Sequence, residues 1–144
     1  MNNEQINFKF AAIQILSKRV LEMPPGKAGT VFSFEIKVEV KVQLSMKLVI
    51  PHITVQIIDD ETKKELAEFV IDYLFEVEDF DKVIVKNTHG LYVIPELLEN
   101  IIKPVSVSTT RGIIYSELRG TYLHSAVMPV VFMDKFVADN TTTP

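Results

Sequence analysis

Residues 31–48 alternate without interruption. Phe32, Phe34, Ile36, Val38, Val40, Val42, Leu44, Met46 and Leu48 hold one parity, and Ser33, Glu35, Lys37, Glu39, Lys41, Gln43, Ser45 and Lys47 hold the other. Successive side chains of a strand point to opposite faces, so this period demands a strand with one buried face and one wet face. Such a strand needs pairing partners and something apolar to cover it, which excludes an all-helical fold. The parity then flips, because Val49, Ile53, Val55 and Ile57 form the next apolar set. A flip requires a turn or a bulge, and we place a hairpin turn near residues 43–47.

Two further strands follow from the same pattern. Residues 59–64 read as a polar turn. Beyond it Ala67, Phe69, Ile71, Tyr73, Phe75 and Val77 share a face, opposite Glu68, Asp72, Glu76 and Glu78, with Leu66, Val70 and Leu74 among those acids. An earlier strand spans residues 8–21, with a parity shift between Phe10 and Ile13 that predicts a bulge. Pro51 has no backbone donor, so its segment is expected at a sheet edge or at a bulge. The run Met23-Pro24-Pro25-Gly26-Lys27-Ala28-Gly29 reads as a loop.

The last third changes period. Pro95 opens a short helical turn over residues 96–102, which Pro104 is expected to end. Ser106 or Ser108 then caps a longer helix running to about residue 123. Ser108, Gly112, Ser116 and Gly120 recur every fourth residue and give that helix a face of small side chains. Glycine costs about 1 kcal/mol against alanine inside a helix, so the stripe suggests close approach to another backbone. That backbone is either the protein's own sheet or a second subunit. Residues 130–137 form an apolar end segment.

At 144 residues the chain is expected to be a single α+β domain over 1–144, with 1–7 and 138–144 flexible. The fold class is a four-stranded antiparallel sheet packed with a long helix and a short C-terminal helical segment. There are more apolar side chains than one helix can cover, which marks an interaction surface or a subunit interface.

The chemistry-bearing residues form no catalytic set. The chain has no cysteine, which excludes disulfides, thiolate metal sites and thiol nucleophiles. His52, His89 and His124 lack a second ligand at metal spacing, so no metal is expected. No glycine-rich phosphate loop and no nucleophile elbow is present. Arg111 and Arg119 on the helix suit ion pairs. The residues therefore give no catalytic centre and no cofactor. A net charge of −4 argues against nucleic acid. The amino terminus lacks the features of a signal peptide, and no apolar run has the length of a membrane span, so the cytoplasm is the expected location.

Arg119-Gly120-Thr121-Tyr122, followed after a gap by Pro129-Val130-Val131-Phe132, resembles the carboxy-terminal signature of the SecB protein-export chaperones. There an arginine-glycine-threonine-aromatic run closes the long helix and a proline-valine-any-phenylalanine run opens the final segment. The order of elements is also similar, and the resemblance spans roughly residues 8–136. It implies a tetramer, a dimer of dimers, with long helices sandwiched between sheets. The stripe Ser108, Gly112, Ser116 and Gly120 would then lie in the oligomer interface. It implies an ATP-independent holding chaperone that binds unfolded precursor polypeptides in apolar grooves and hands them to the secretion motor ATPase. The client-binding residues implied are Met23, Val31, Phe32 and Phe34, facing Val130, Phe132 and Phe136. The motor-docking strip implied on the solvent face of the sheet is Glu22, Leu66 and Glu68.

The sequence departs from the pattern in several places. Lys18 stands where an acid is expected on the docking strip. The link between the second and third strands is short, and the acidic tail is reduced to a few polar residues. Lys103-Pro104 interrupts the region before the long helix. A chaperone serving one dedicated partner, such as an antitoxin paired with a toxin, would keep the groove and lose the docking strip. A carrier of small molecules or lipids is a third reading of the same groove.

Overall fold

The computed structural model describes residues 5–22 and 31–130. Four long strands form one antiparallel sheet: β1 (Phe8–Val20), β2 (Phe32–Gln43), β3 (Leu48–Asp59) and β4 (Glu65–Val77). Their order is β1-β4-β3-β2, so β3 and β4 are central and β1 and β2 are the edges. A one-turn helix α1 (Phe80–Val83) and a small hairpin, β5 (Val85–Lys86) with β6 (Tyr92–Val93), lead into the long helix α2 (Glu96–Glu117). This is the α+β architecture expected from the alternation and the late change of period.

The apolar parity of each strand stacks across the sheet. Ile15, Ile71, Ile53 and Val38 form one rung, and Val20, Ala67, Ile57 and Phe34 form another. The central members of these rungs are fully buried under α2, which packs on β3 and β4 with Leu98, Ile102 and Ile114. Leu118, Leu123, Ala126 and Met128, downstream of the helix, complete the core.

The turn between β2 and β3 falls at residues 44–47, as expected. Lys47, at φ 56°, donates from its backbone to the Leu44 carbonyl at 3.2 Å. The bulge in β1 lies between Phe10 and Ala12, and a second lies between Ile15 and Ser17. Leu44 and Met46 stand exposed in the turn. Leu48 is buried on the opposite face, with Ile50 and Leu74.

Two expectations about proline need correction. Pro51 is neither at an edge nor in a bulge: it sits buried in central strand β3, in register with Val40. The sheet absorbs it by leaving Ile50 and Pro51 out of the ladder to β4, with the register unchanged on either side. Nor does Pro104 end a helix. α2 runs unbroken through it, from a start at Pro95 with no side-chain cap, and neither Ser106 nor Ser108 is a cap. Proline removes one hydrogen bond and crowds the carbonyl four residues earlier. Here burial of the flanking turns outweighs that cost, and Ser106 and Thr110 bond their hydroxyls to the carbonyls of Ile102 and Ser106 at 2.6 and 2.8 Å. The helix also stops at Glu117, short of residue 123.

A buried hydroxyl chain registers α2 on the sheet. Tyr73 on β4 donates to Thr110 at 2.6 Å, and Thr110 donates onward to the Ser106 carbonyl. Burial pushes the Tyr73 phenol up to about 12. Because the folded value lies above the ordinary 10.0, Tyr73 supports folding below about pH 10, and that support is lost as pH rises through about 12. Stability measured from pH 9 to 12 should show this fall, and Tyr73→Phe should remove it. Thr110→Val should cost about 1–3 kcal/mol by orphaning the buried phenol. Tyr73→Phe should cost less, because Thr110 keeps its bond to Ser106.

Candidate client-binding and assembly surfaces

α2 covers the central strands of the sheet and leaves the margins open. On β1, Phe10, Ile13 and Ile15 point to the helix-covered side, opposite Phe75, Tyr73 and Ile71. They remain 44–46% exposed, while their β4 neighbours are buried. Phe10 stacks at 4.4 Å on Phe75, so it rims the core without being sealed by it. On β2, Phe32, Phe34 and Ile36 are half-buried against the core, and Val31 before them is exposed. The expected excess of apolar surface is thus present, on both flanks of the helix.

The outer side of α2 is apolar as well. Leu97, Ile101, Val105, Ser108, Gly112 and Tyr115 follow one another at spacings of four, four, three, four and three residues. From Ile101 onward that is the four-three alternation of a coiled-coil seam. Every one of them is exposed, Leu97 and Tyr115 at 54%. Gly112 sits mid-seam with open space where a Cβ would be. The small residues expected at the oligomer interface therefore divide. Ser108 and Gly112 lie on the seam and Ser116 lies beside it, all exposed. Gly120 lies past the helix end at φ 83°, where it serves the turn. In the sequence, Pro104 hides the four large seam residues, because a proline ordinarily ends a helix. A continuous helix shows them at once.

The other expected site residues are placed as follows. Val130 is exposed beside Pro104, Val107, Ser108 and Arg111 of α2, in a cleft of about 50 Å³ whose described lining includes no residue of β2. Met23, Phe132 and Phe136 lie outside the described residues. Glu22 is exposed at the end of β1. Glu68 projects from the solvent face of β4, held by Arg19 at 3.5 Å and Gln56 at 3.1 Å. Leu66 does not accompany it: a register shift between Ile57 and Ile58 turns it into the core, where it is 3% exposed. Lys18 is on the helix-covered side, ion-paired with Glu117 at the end of α2.

Two rungs of the solvent face are polar, beside the apolar cluster of Leu48, Ile50 and Leu74. Gln14, Asp72, His52 and Glu39 form one rung, with His52 Nδ1 and Asp72 2.5 Å apart. Arg19, Glu68, Gln56 and Glu35 form another. Among the described residues no group of three or more histidine, cysteine or acidic side chains can hold a metal ion. No described helix is long and apolar enough to cross a membrane.

No protein-family model matches the sequence, and none of the curated proteins does. A solved structure does match: the SecB-like chaperone Rv1957 of Mycobacterium tuberculosis, in complex with a ChAD peptide from the HigA1 antitoxin. The TM-score is 0.58 at 12% identity, and the match covers 87% of this chain and 90% of that one. That neighbour is a chaperone bound to a peptide. With the strand order β1-β4-β3-β2, the long helix on the central strands and this structural likeness over most of both chains, the protein has a SecB-like fold.

Proposed function

We propose that this chain is an ATP-independent holding chaperone that binds non-native polypeptide on the open margins of its sheet. The observation that carries the reading is the half-exposed apolar margin on either side of α2, at Phe10, Ile13 and Ile15 on β1 and at Val31, Phe32 and Phe34 on β2. A monomer has no use for such surface, and each square ångström of it that a client covers contributes roughly 25 cal/mol. Met23, Phe132 and Phe136 would add to this apolar surface, and Val130 would join it from beside α2. Adaptable apolar contacts tolerate many client sequences and need no catalytic group.

The second element of the proposal is assembly. The seam from Leu97 to Tyr115 would pack on its counterpart in a second copy, with Ser108 and Gly112 allowing the helices to approach closely and Ser116 at the rim. A dimer or tetramer built this way would present several margins to one client and gain avidity. The chain would work in the cytoplasm as one domain.

The identity of the client divides two readings. Precursors handed to the secretion motor would require a docking strip at Glu22, Leu66 and Glu68. Burial of Leu66 and the tie of Glu68 to Arg19 favour the other reading, a chaperone dedicated to one protein, such as an antitoxin. The peptide bound by the structural neighbour supports that second reading too. Suppression of aggregation of a slowly folding, reduced protein tests holding itself. Co-purification of one partner against many clients separates the two readings.

A further inference from the structure

The residues that connect β1 to β2 start and finish at anchored points. Leu21 follows the last residue of β1 and Val31 precedes the first residue of β2. Since β1 and β2 are opposite edges of a four-stranded sheet, these points are at least about 14 Å apart, three strand spacings. The Val31 carbonyl accepts from the Asp60 backbone at 3.0 Å. The Leu21 backbone is held twice: its N–H donates to the Leu66 carbonyl at 2.8 Å, and its carbonyl accepts from the Tyr122 hydroxyl at 2.8 Å. The first two of these three bonds run backbone to backbone, which leaves Tyr122 as the one side chain among the partners.

Tyr122 is aimed by its neighbours. Gly120, at φ 83°, turns the chain away from α2, and the Thr121 hydroxyl donates to the Leu118 carbonyl at 2.7 Å while accepting from the Leu123 backbone at 3.1 Å. The Lys18–Glu117 ion pair ties β1 to the same end of the helix. Val20 shares a rung with Phe34, so this end of the sheet is the one at which the β2 margin opens.

We infer that Tyr122 is a positioning residue: its hydroxyl holds the outgoing backbone of β1 at Leu21 against the end of α2, and so fixes, at the β1 edge, the point from which the connection sets out toward the β2 margin at the far end of the same rung. The inference rests on the holding function proposed above for its consequence, though not for the anchor itself. Burial raises the Tyr122 phenol above its ordinary value.

The test is Tyr122→Phe in the full-length protein, which keeps the ring and removes the hydroxyl. Losing one hydroxyl-to-carbonyl bond shifts a local equilibrium about two- to tenfold. Limited trypsin digestion reads the anchor at Lys27, the basic residue between Leu21 and Val31. The expected result is faster cleavage at Lys27 by that factor, unchanged cleavage at Lys82 and Lys86, unchanged mass, and client release from the variant faster to a similar extent. Cleavage at Lys27 equal to wild type overturns the anchor. A rise at Lys82 and Lys86 in step with Lys27 also overturns it, since the loosening would be general. Faster Lys27 cleavage with unaltered release, in a protein whose wild type holds clients, overturns the positioning role. A wild type that holds no client counts against the proposed function, and the Lys27 arm then judges the anchor alone.

Discussion

A chain carrying Ile101→Glu and Val105→Glu together should run as a folded monomer, and the wild type as an oligomer. Both side chains are exposed on the outer face of α2, one turn apart, and neither contributes to the core beneath the helix. The substitutions should therefore cost the monomer less than about 1 kcal/mol. In an assembly they would bury carboxylates against an apolar counterpart, and burial of an unpaired charge is costly enough to prevent association. Client capture should fall on the order of a hundredfold, because one client can no longer bridge several margins. Size exclusion with light scattering reads the mass, and far-ultraviolet circular dichroism reads the fold. An unchanged mass would place the subunit interface elsewhere.

The second large effect concerns the β2 margin. Replacing Phe34 and Phe132 with alanine should weaken client binding while leaving mass and cooperative unfolding intact. Phe34 is half-buried at the core rim, so its loss costs the fold only part of the 3–5 kcal/mol typical of a fully buried phenylalanine. A client that covers both rings gains about 1.5–3 kcal/mol from each, so the double variant should lose roughly a hundredfold or more in affinity at the β2 margin. Isothermal titration with a denatured, reduced client measures it. Equal affinity in a folded double variant would remove the β2 margin from the account. The parallel pair Phe10→Ala and Ile13→Ala asks the same of the β1 margin.

Much of the fold was legible because the sheet obeys a simple rule. Phe32 to Val42 alternates strictly, and Ala67 to Val77 alternates on the parity that faces α2, so strands and faces followed from residue type alone. The β1 bulge was visible as a parity shift. The prolines misled. Pro51 cannot donate to a ladder and so points to an edge or bulge, yet a central strand accepts it by skipping two residues of pairing on one side. Pro104 signals a helix end, yet tertiary burial of α2 on β3 and β4 overrides the local penalty.

The second error mattered for the site. Cutting the helix at Pro104 separated Leu97 and Ile101 from Ser108, Gly112 and Tyr115, and the seam then looked like a stripe of small residues only. The β1 margin was missed for a different reason. Which apolar side chains stay uncovered depends on where the helix crosses the sheet, and no local pattern encodes that. Leu66 shows the same limit on a smaller scale, since its alternation put it outward and a register shift turned it inward.

The central claim is that open apolar surface on this chain holds unfolded polypeptide. Light scattering from a reduced, slowly folding protein tests it most directly, recorded with and without the chain at near-stoichiometric amounts, with the mass of the chain determined in parallel. The account predicts that scattering is suppressed without ATP by an oligomeric species, and that the Ile101 and Val105 double variant loses most of that suppression. Undiminished scattering in the presence of a well-folded oligomer would contradict general holding and leave the open margins to one specific partner.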